Sequence, residues 1–163
     1  MSKQKPIEVI TPPNALKVKM GGALPLLDQK AIARAEAALE GMSAQFAEWI
    51  NEELARLLEA WAAYEIAPGA YASRNELHRR SHDLKGLAPT YGYPLVARMC
   101  GSLCKLTGDE HGDLNPPDKL LKAHVDAVKA AVTGKIMGAD HPVGLALATE
   151  LEAQTKALIA TKS

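Results

Sequence analysis

The chain has 163 residues with 19 basic and 19 acidic side chains, so its formal charge is zero. A neutral chain argues against a general nucleic-acid binder, since such proteins need an excess of lysine and arginine to meet the phosphate backbone. Hydrophobic residues make up 47% of the chain and aromatic residues only 4%, and a chain of this length buries a real core as one domain.

Membrane and secreted classes are also disfavoured. No apolar run approaches the roughly 20 residues that a membrane span needs. The N-terminal residues MSKQKPIEVITPPN lack the apolar core of a signal peptide. The two cysteines, Cys100 and Cys104, lie four apart on a predicted helix, and we expect them in a reducing, cytoplasmic setting.

Residues 1–27 contain four prolines and the pair Gly21-Gly22, which disfavour regular secondary structure. We therefore predict an extended or partly disordered N-terminal arm over residues 1–27. Helical periodicity begins near Asp28, and alanine and leucine supply most of the apolar content that follows. Residues 28–163 are predicted to form one helical domain.

The first helix is predicted over residues 28–64. Apolar residues recur every three or four positions in its second half, which is the period of an amphipathic helix. Trp49 and Trp61 follow this period and are predicted to be core residues. The sequence Gly41-Met42-Ser43 leaves open whether this stretch is one helix or two, and Ala67-Pro68-Gly69 ends it.

Four more helices are predicted, over residues 71–88, 94–106, 117–133 and 142–161. Three of them begin at a proline, which is well suited to the first turn of a helix. Short connections between successive helices favour antiparallel neighbours. The sequence therefore predicts an all-α fold, an up-down antiparallel helical bundle.

The most informative residues lie on the second predicted helix, in Ser81-His82-Asp83-Leu84-Lys85-Gly86. At about 100° per residue, His82 falls about 140° and Gly86 about 180° from the centre of the apolar stripe, with Lys85 about 80° away. His82 is therefore predicted to face solvent, beside a mobile cation and a glycine that leaves room for a partner. No acid, second histidine or serine is evidently placed to make His82 a general base. We therefore interpret the imidazole as a group that reacts with another protein.

The pattern His-x-Leu-Lys-Gly from His82, with a second glycine at Gly92, resembles the histidine phosphotransfer (HPt) family. The resemblance covers roughly residues 74–107 and includes the apolar positions of the next helix, Leu95, Met99, Leu103 and Leu106. It implies a four-helix bundle core, extended in this chain by an extra N-terminal helix and the arm.

The resemblance also implies a function. His82 would accept a phosphoryl group from the aspartate of one receiver domain and pass it to another receiver in a phosphorelay. Lys85 would neutralise charge on the phosphoryl oxygens, and Gly86 would keep the approach to the ring open. No glycine-rich ATP-binding loop is present, so the chain is interpreted as a phosphocarrier and not a kinase, with no cofactor of its own.

The partners implied are receiver domains of response regulators and of a hybrid histidine kinase, which by resemblance supply Mg²⁺ and the reactive aspartate. We expect no nucleic-acid or membrane partner, and a monomer because the site lies on one helix. Six basic and two acidic residues between Arg74 and Lys105 predict a positive surface that steers an acidic partner. We place three further residues on the partner-binding surface, Arg79, His78 and Pro89.

Pro89 departs from the family's pattern. It lacks an N–H, so the carbonyl of Lys85 loses its helical partner, and Ala88 before it is biased away from helical angles. We predict a kink or a helix end one to two turns beyond His82, with an effect on how a partner docks.

Two other interpretations stay open. His78 and His82 have the spacing of metal ligands on a helix, and Cys100 and Cys104 would add to them. Two arginines lie between the histidines, and the cysteines fit core packing better, so no metal is predicted. The second alternative is a helical adaptor that binds receiver domains without being phosphorylated. No role is assigned to the histidines that fall in loops or on a polar face, His111, His124 and His141.

Overall fold

The computed structural model describes residues 29–111 and 114–161, and every regular element within them is helical. The helices are α1 (Gln29–Ile66), α2 (Tyr71–Leu87), α3 (Pro94–Thr107), α4 (Asp118–Thr133) and α5 (Pro142–Ala160), with a 3₁₀ turn at Asp109–His111. These bounds confirm the predicted helices closely, and residues 29–66 form a single helix. Across the described ranges, none of the helices has the length and apolar character needed to cross a membrane.

The chain divides into two compact units, residues 1–40 and residues 41–163. In the first unit the described residues, 29–40, are helical with exposed side chains. The predicted arm over residues 1–27 lies outside the described residues, so the division into an arm and a domain over 28–163 stays a prediction. The core and the surface that carries His82 both belong to the second unit.

Helix α3 is the centre of the bundle, because it packs against α2, α4 and α5. Pro94 occupies its first turn, where the missing N–H is not needed. Apolar side chains then recur on most sides of the helix and are almost fully buried, among them Leu95, Met99, Leu103 and Leu106. Burial of each such side chain contributes about 1.5–3 kcal/mol, which explains why this helix organises the fold.

Hydrogen bonds at the ends of the helices show that neighbours are antiparallel. Arg74, at the start of α2, donates from Nε to the carbonyl of Thr107, at the end of α3, over 3.0 Å. Tyr64, at the end of α1, donates to Asp118 Oδ1, at the start of α4, over 3.0 Å. The predicted all-α, up-down antiparallel bundle is therefore confirmed.

Helix α1 covers one side of the core with a stripe of buried residues, Ile50, Leu54, Leu57, Ala60, Trp61 and Tyr64. Trp61 is buried as predicted, but Trp49 is 38% exposed, so its assignment to the core was wrong. Trp49 packs instead against Phe46 and Tyr91, with ring centroids 5.8 and 6.1 Å away. The three- or four-residue rhythm identified the helix correctly but not the edge of its buried face.

Helix α2 ends at Leu87, five residues after His82, so the predicted helix end near Pro89 is confirmed. The chain closes with Gly92 at φ 87°, a bond from Gly92 N to Pro89 O of 3.1 Å and one from Tyr93 N to Ala88 O of 2.8 Å. This is a Schellman motif, which ends a helical turn with a left-handed glycine. Ala88 keeps helical angles, φ −55° and ψ −39°, so its predicted shift away from them was wrong, because these bonds hold it in place.

His124 is fully buried between α4 and α5, so its assignment to a loop or polar face was wrong. Its Nδ1 lies 2.8 Å from the carbonyl of Leu120 and its Nε2 lies 3.3 Å from Thr155 Oγ1. A carbonyl only accepts, so Nδ1 carries the proton and Nε2 accepts from the threonine hydroxyl. Burial lowers the pKa of His124, against the opposing effect of the Leu120 hydrogen bond.

Candidate functional site around His82

Helix α2 turns His82 outward because its opposite face is core. Leu77, Ser81 and Leu84 are fully buried, and the Ser81 hydroxyl donates to the carbonyl of Leu77 over 2.7 Å. His82 is exposed, and so are Lys85 and Gly86. The orientation predicted from the helical angle is confirmed at all three positions.

The space beside Gly86 is empty. A Cβ built on this glycine would have no heavy atom of the chain within 4 Å. Packing inside the protein therefore does not require a glycine at this position. What the missing side chain provides is free access to the exposed face of α2 one turn after the histidine.

Lys85 lies against helix α3. Its Cε and Cδ are 3.8 and 3.9 Å from the point where a Cβ on Gly101 would stand, so the aliphatic stem crosses the backbone of α3 at a glycine. Burial raises the pKa of the Cys104 thiol to about 11, and the nearby charge of Lys85 opposes that rise. Lys85 takes part in none of the ion pairs within the described part of the chain, so its ammonium is available to a new anion.

The arginines close to His82 on α2 are already engaged in ion pairs. Arg79 and Arg80 both bind the carboxylate of Glu76, each with a contact of 2.7 Å. Partial burial alone would raise the pKa of Glu76, but the hydrogen bonds and charges of the two arginines outweigh it and lower the pKa. The predicted partner-binding residue Arg79 is thus exposed but already paired.

Two other basic residues of the predicted positive surface are held in structural contacts. Arg74 donates to three carbonyls at the end of α3. Arg98 forms hydrogen bonds of 2.8 and 2.6 Å with Glu152 of α5, which hold the pKa of that carboxyl below its usual value. The excess of positive charge is therefore smaller than a count over one segment of sequence indicates, and Lys85 is a cation on the His82 helix that takes part in none of these ion pairs.

A second histidine, His78, lies beside His82, as their spacing of four residues on one helix indicates. The ring centroids of His78 and His82 are 6.5 Å apart and their planes differ by 27°. His78 is half-buried, and its Nδ1 lies 3.1 Å from the hydroxyl of Thr107 on α3. The register between α2 and α3 creates the contact of His78 with Thr107, and no local signal in the sequence reports that contact.

Pro89 lies exposed in the turn that follows α2. Its placement on the partner-binding surface stays a prediction, as do those of Arg79 and His78. The metal-site alternative gains no support, since no group of three or more His, Cys, Asp or Glu side chains is placed to hold an ion in residues 29–111 and 114–161. Cys100 and Cys104 are both free thiols buried on α3, as the core-packing interpretation predicted.

These observations define a class of protein: a helical bundle with an exposed histidine on one helix, three residues before a lysine whose stem lies against the next helix. Comparison with protein families matches residues 41–133 to the Hpt domain, more than half of the chain and all of the site. The chain therefore belongs to the Hpt domain family, which supports a phosphotransfer role in two-component signalling. No curated protein and no solved structure is significantly similar to it.

Hpt domains are in general phosphocarriers and not ATP-using enzymes, and they interact with receiver domains in phosphorelays. The family thus agrees with the resemblance seen in the sequence.

Proposed function

We propose that this protein carries a phosphoryl group on His82, accepting it from the aspartyl phosphate of one receiver domain and passing it to the aspartate of another. The observation that carries the proposal is the combination on one exposed helix face. His82 points to solvent, Lys85 is anchored beside it over Gly101, and the space above Gly86 is empty.

The transfer itself needs little chemistry from this chain. A ring nitrogen of His82 attacks the phosphorus of the acyl phosphate with its lone pair, an N–P bond forms, and the P–O bond to the aspartate breaks to release a carboxylate. In the onward step a carboxylate oxygen attacks phosphorus and the N–P bond breaks. Both steps depend mainly on positioning and on neutralising charge.

Lys85 supplies the neutralising charge from this side of the complex. Its stem rests on α3, so fewer rotamers are open to the side chain than to a lysine on a bare helix, and in this proposal the ammonium meets the phosphoryl oxygens. Mg²⁺ and the reactive aspartates belong to the receiver domains in this proposal. Gly86 leaves room for the receiver, and Arg79, His78 and Pro89 lie around the docking surface.

The partners proposed are receiver domains of response regulators and of a hybrid histidine kinase, each bound by a monomer of this chain. The exposed position of His82 on a single helix supports one receiver at a time. It also means that donor and acceptor receivers use the same surface in turn.

The test is transfer from a labelled, phosphorylated receiver domain to the wild-type protein and to His82→Gln. We expect an acid-labile, base-stable label on the wild type and none on the variant. Because His82 is exposed, the helical circular dichroism of the variant should equal that of the wild type. If a panel of receivers binds a well-folded protein without labelling it, the protein is a receiver-binding adaptor instead.

A further inference from the structure

The proton on His78 has a defined position because of the contacts that this residue makes with α3. The hydroxyl of Thr107 donates to the carbonyl of Leu103 over 2.8 Å, and a carbonyl can only accept. The lone pairs of Thr107 Oγ1 are therefore left for His78, whose Nδ1 lies 3.1 Å away and must be the donor. In the neutral ring Nδ1 holds the proton, and Nε2 carries a free lone pair.

The ring of His78 is also fixed in place. A Cβ on Gly108 would stand only 3.0 Å from His78 Cε1, so the glycine is what admits the ring against the end of α3. The imidazole sits at a small pocket of about 170 Å³ whose lining includes Arg74, Thr107 and Asp109. His82 stacks on its other side at 6.5 Å.

The charged groups that line the pocket beside His78 are Arg74 of α2 and Asp109 of the 3₁₀ turn. The end of α3 contributes the uncharged residues Thr107 and Gly108. Tyr71 of α2 also lines the pocket. A positive and a negative side chain thus lie at the same pocket as the ring, and a phosphoryl group on His82 would add negative charge beside it.

We propose that His78 takes up a proton at Nε2 when His82 is phosphorylated, and that the imidazolium neutralises the phosphoryl group on the side opposite Lys85. The inference rests on the proposed function of His82. A phosphoryl group adds up to two negative charges at a distance where charges interact measurably. The proton comes from water, His78 forms no bond to phosphorus, and the proton returns to water when the phosphoryl group leaves.

This arrangement makes phosphorylation of His82 proton-linked. The phosphorylated state then holds one more proton at His78 than the unphosphorylated state, so the contribution of His78 to phosphorylation grows as the pH falls. Phosphorelay output would thus respond to pH through a residue that neither gives nor accepts the phosphoryl group.

The decisive experiment uses phosphoramidate, a small phosphoryl donor that needs no receiver domain. The full chain, labelled with ¹⁵N at histidine, is examined by NMR at pH 7 before and after phosphorylation. We expect the ring nitrogens of His78 to move from the neutral Nδ1–H form towards the imidazolium form, while those of His141, which caps α5, stay unchanged. Thr107→Val should lose the fixed Nδ1–H form in the unphosphorylated protein, and Thr107→Ser should retain it.

A second measurement compares the phosphorylated fraction of wild type and His78→Gln. At pH 6 the wild type should hold up to about threefold more phosphohistidine at equilibrium, the factor expected for unit charges at this spacing in a water-like dielectric, and the difference should vanish at pH 8.5. If phosphohistidine forms while His78 stays neutral and the two proteins remain equal at both pH values, the inference is wrong and the proposed function stands. If no phosphohistidine forms on His82 either with phosphoramidate or with a phosphorylated receiver domain, the proposed function fails and the inference with it.

Discussion

Two glycines of the His82 motif are present for different physical reasons. Gly86 has no atom of its own chain within 4 Å of a would-be Cβ, whereas Gly92 has φ 87° and would place a Cβ 2.7 Å from Met137 Cε. Only Gly92 is therefore required by the fold. The constraint on Gly86 comes from outside the chain, from the partner that must approach His82.

Substitutions of Gly86 should therefore affect the free energy of unfolding and the rate of phosphoryl transfer in different ways. Gly86→Ala should raise the free energy of unfolding by up to about 1 kcal/mol, since alanine is the better helix former. Gly86→Leu should fold as well as the wild type but accept phosphoryl groups from a receiver at least about tenfold more slowly, because a docking displacement of even 1 Å is costly. Urea denaturation and labelled transfer measure the two effects.

Gly41 provides the matched control for this prediction. It is also a helical glycine with nothing within 4 Å of a would-be Cβ, but it lies on α1. Gly41→Leu should leave the transfer rate unchanged. Equal rates for Gly86→Leu and Gly41→Leu would show that Gly86 does not serve receiver access.

At the scale of elements, the connection between α2 and α3 is tied to the connection between α4 and α5. Gly138 N donates to the carbonyl of Gly92 over 3.1 Å, and the Met137 side chain lies against the same glycine. The Schellman turn after Pro89 therefore both ends α2 and sets one end of the bundle. Its geometry fixes how far α2 extends beyond His82.

Gly92→Ala should destabilise the fold by about 1–2 kcal/mol, because the Cβ of alanine disfavours the left-handed backbone conformation at this φ. The change would appear as a lower urea midpoint with an unchanged slope. Met137→Ala in the same chain should relieve the side-chain contact but not the backbone cost, so the double variant should remain less stable than Met137→Ala alone. Equal stability of those two proteins would contradict the prediction.

The α4–α5 pair contains a pH-dependent contribution to stability. Burial lowers the pKa of His124, so the unfolded chain binds a proton at a higher pH than the folded chain does. The contribution of His124 to the free energy of unfolding is complete above its pKa in the unfolded chain, about 6.5. It is lost as the pH falls below that value, with a slope of up to about 1.4 kcal/mol per pH unit.

Denaturant titrations between pH 5 and 8 check this prediction. The wild type should lose stability on acidification, and His82→Gln, at an exposed position, should lose as much. His124→Leu should show a clearly smaller loss over the same range. A pH dependence that persists unchanged in His124→Leu would place its origin in another group.

At the scale of the whole molecule, the two thiols report on the intact core. Cys100 is fully buried, and burial raises the pKa of Cys104 to about 11, so neither is an effective nucleophile near neutral pH. We expect both to resist iodoacetamide at pH 8 until the bundle unfolds, and to react at once in urea. Rapid labelling of Cys104 in the native protein would show that α3 opens locally.

Much of the bundle was predictable because helix formation depends on residues that are close in sequence. The period of apolar residues and the prolines at Pro94 and Pro142 located the helix bounds to within a residue or two, and the angle around α2 placed His82 on the solvent side. Two of the errors, those at Trp49 and His124, concern which edge of a helix a neighbour covers. That property depends on residues distant in sequence.

The sequence by itself determined the helical class, the antiparallel order and the exposed trio of His82, Lys85 and Gly86, because each follows from spacing along one segment. Tertiary structure alone decided what surrounds that trio: the contact of the Lys85 stem with Gly101, the ion pair of Arg98 with Glu152 across helices, and the proton position on His78. Those features arise where α2 meets α3 and α3 meets α5. Their register is set by the packing of whole helices, which no local pattern of residues encodes.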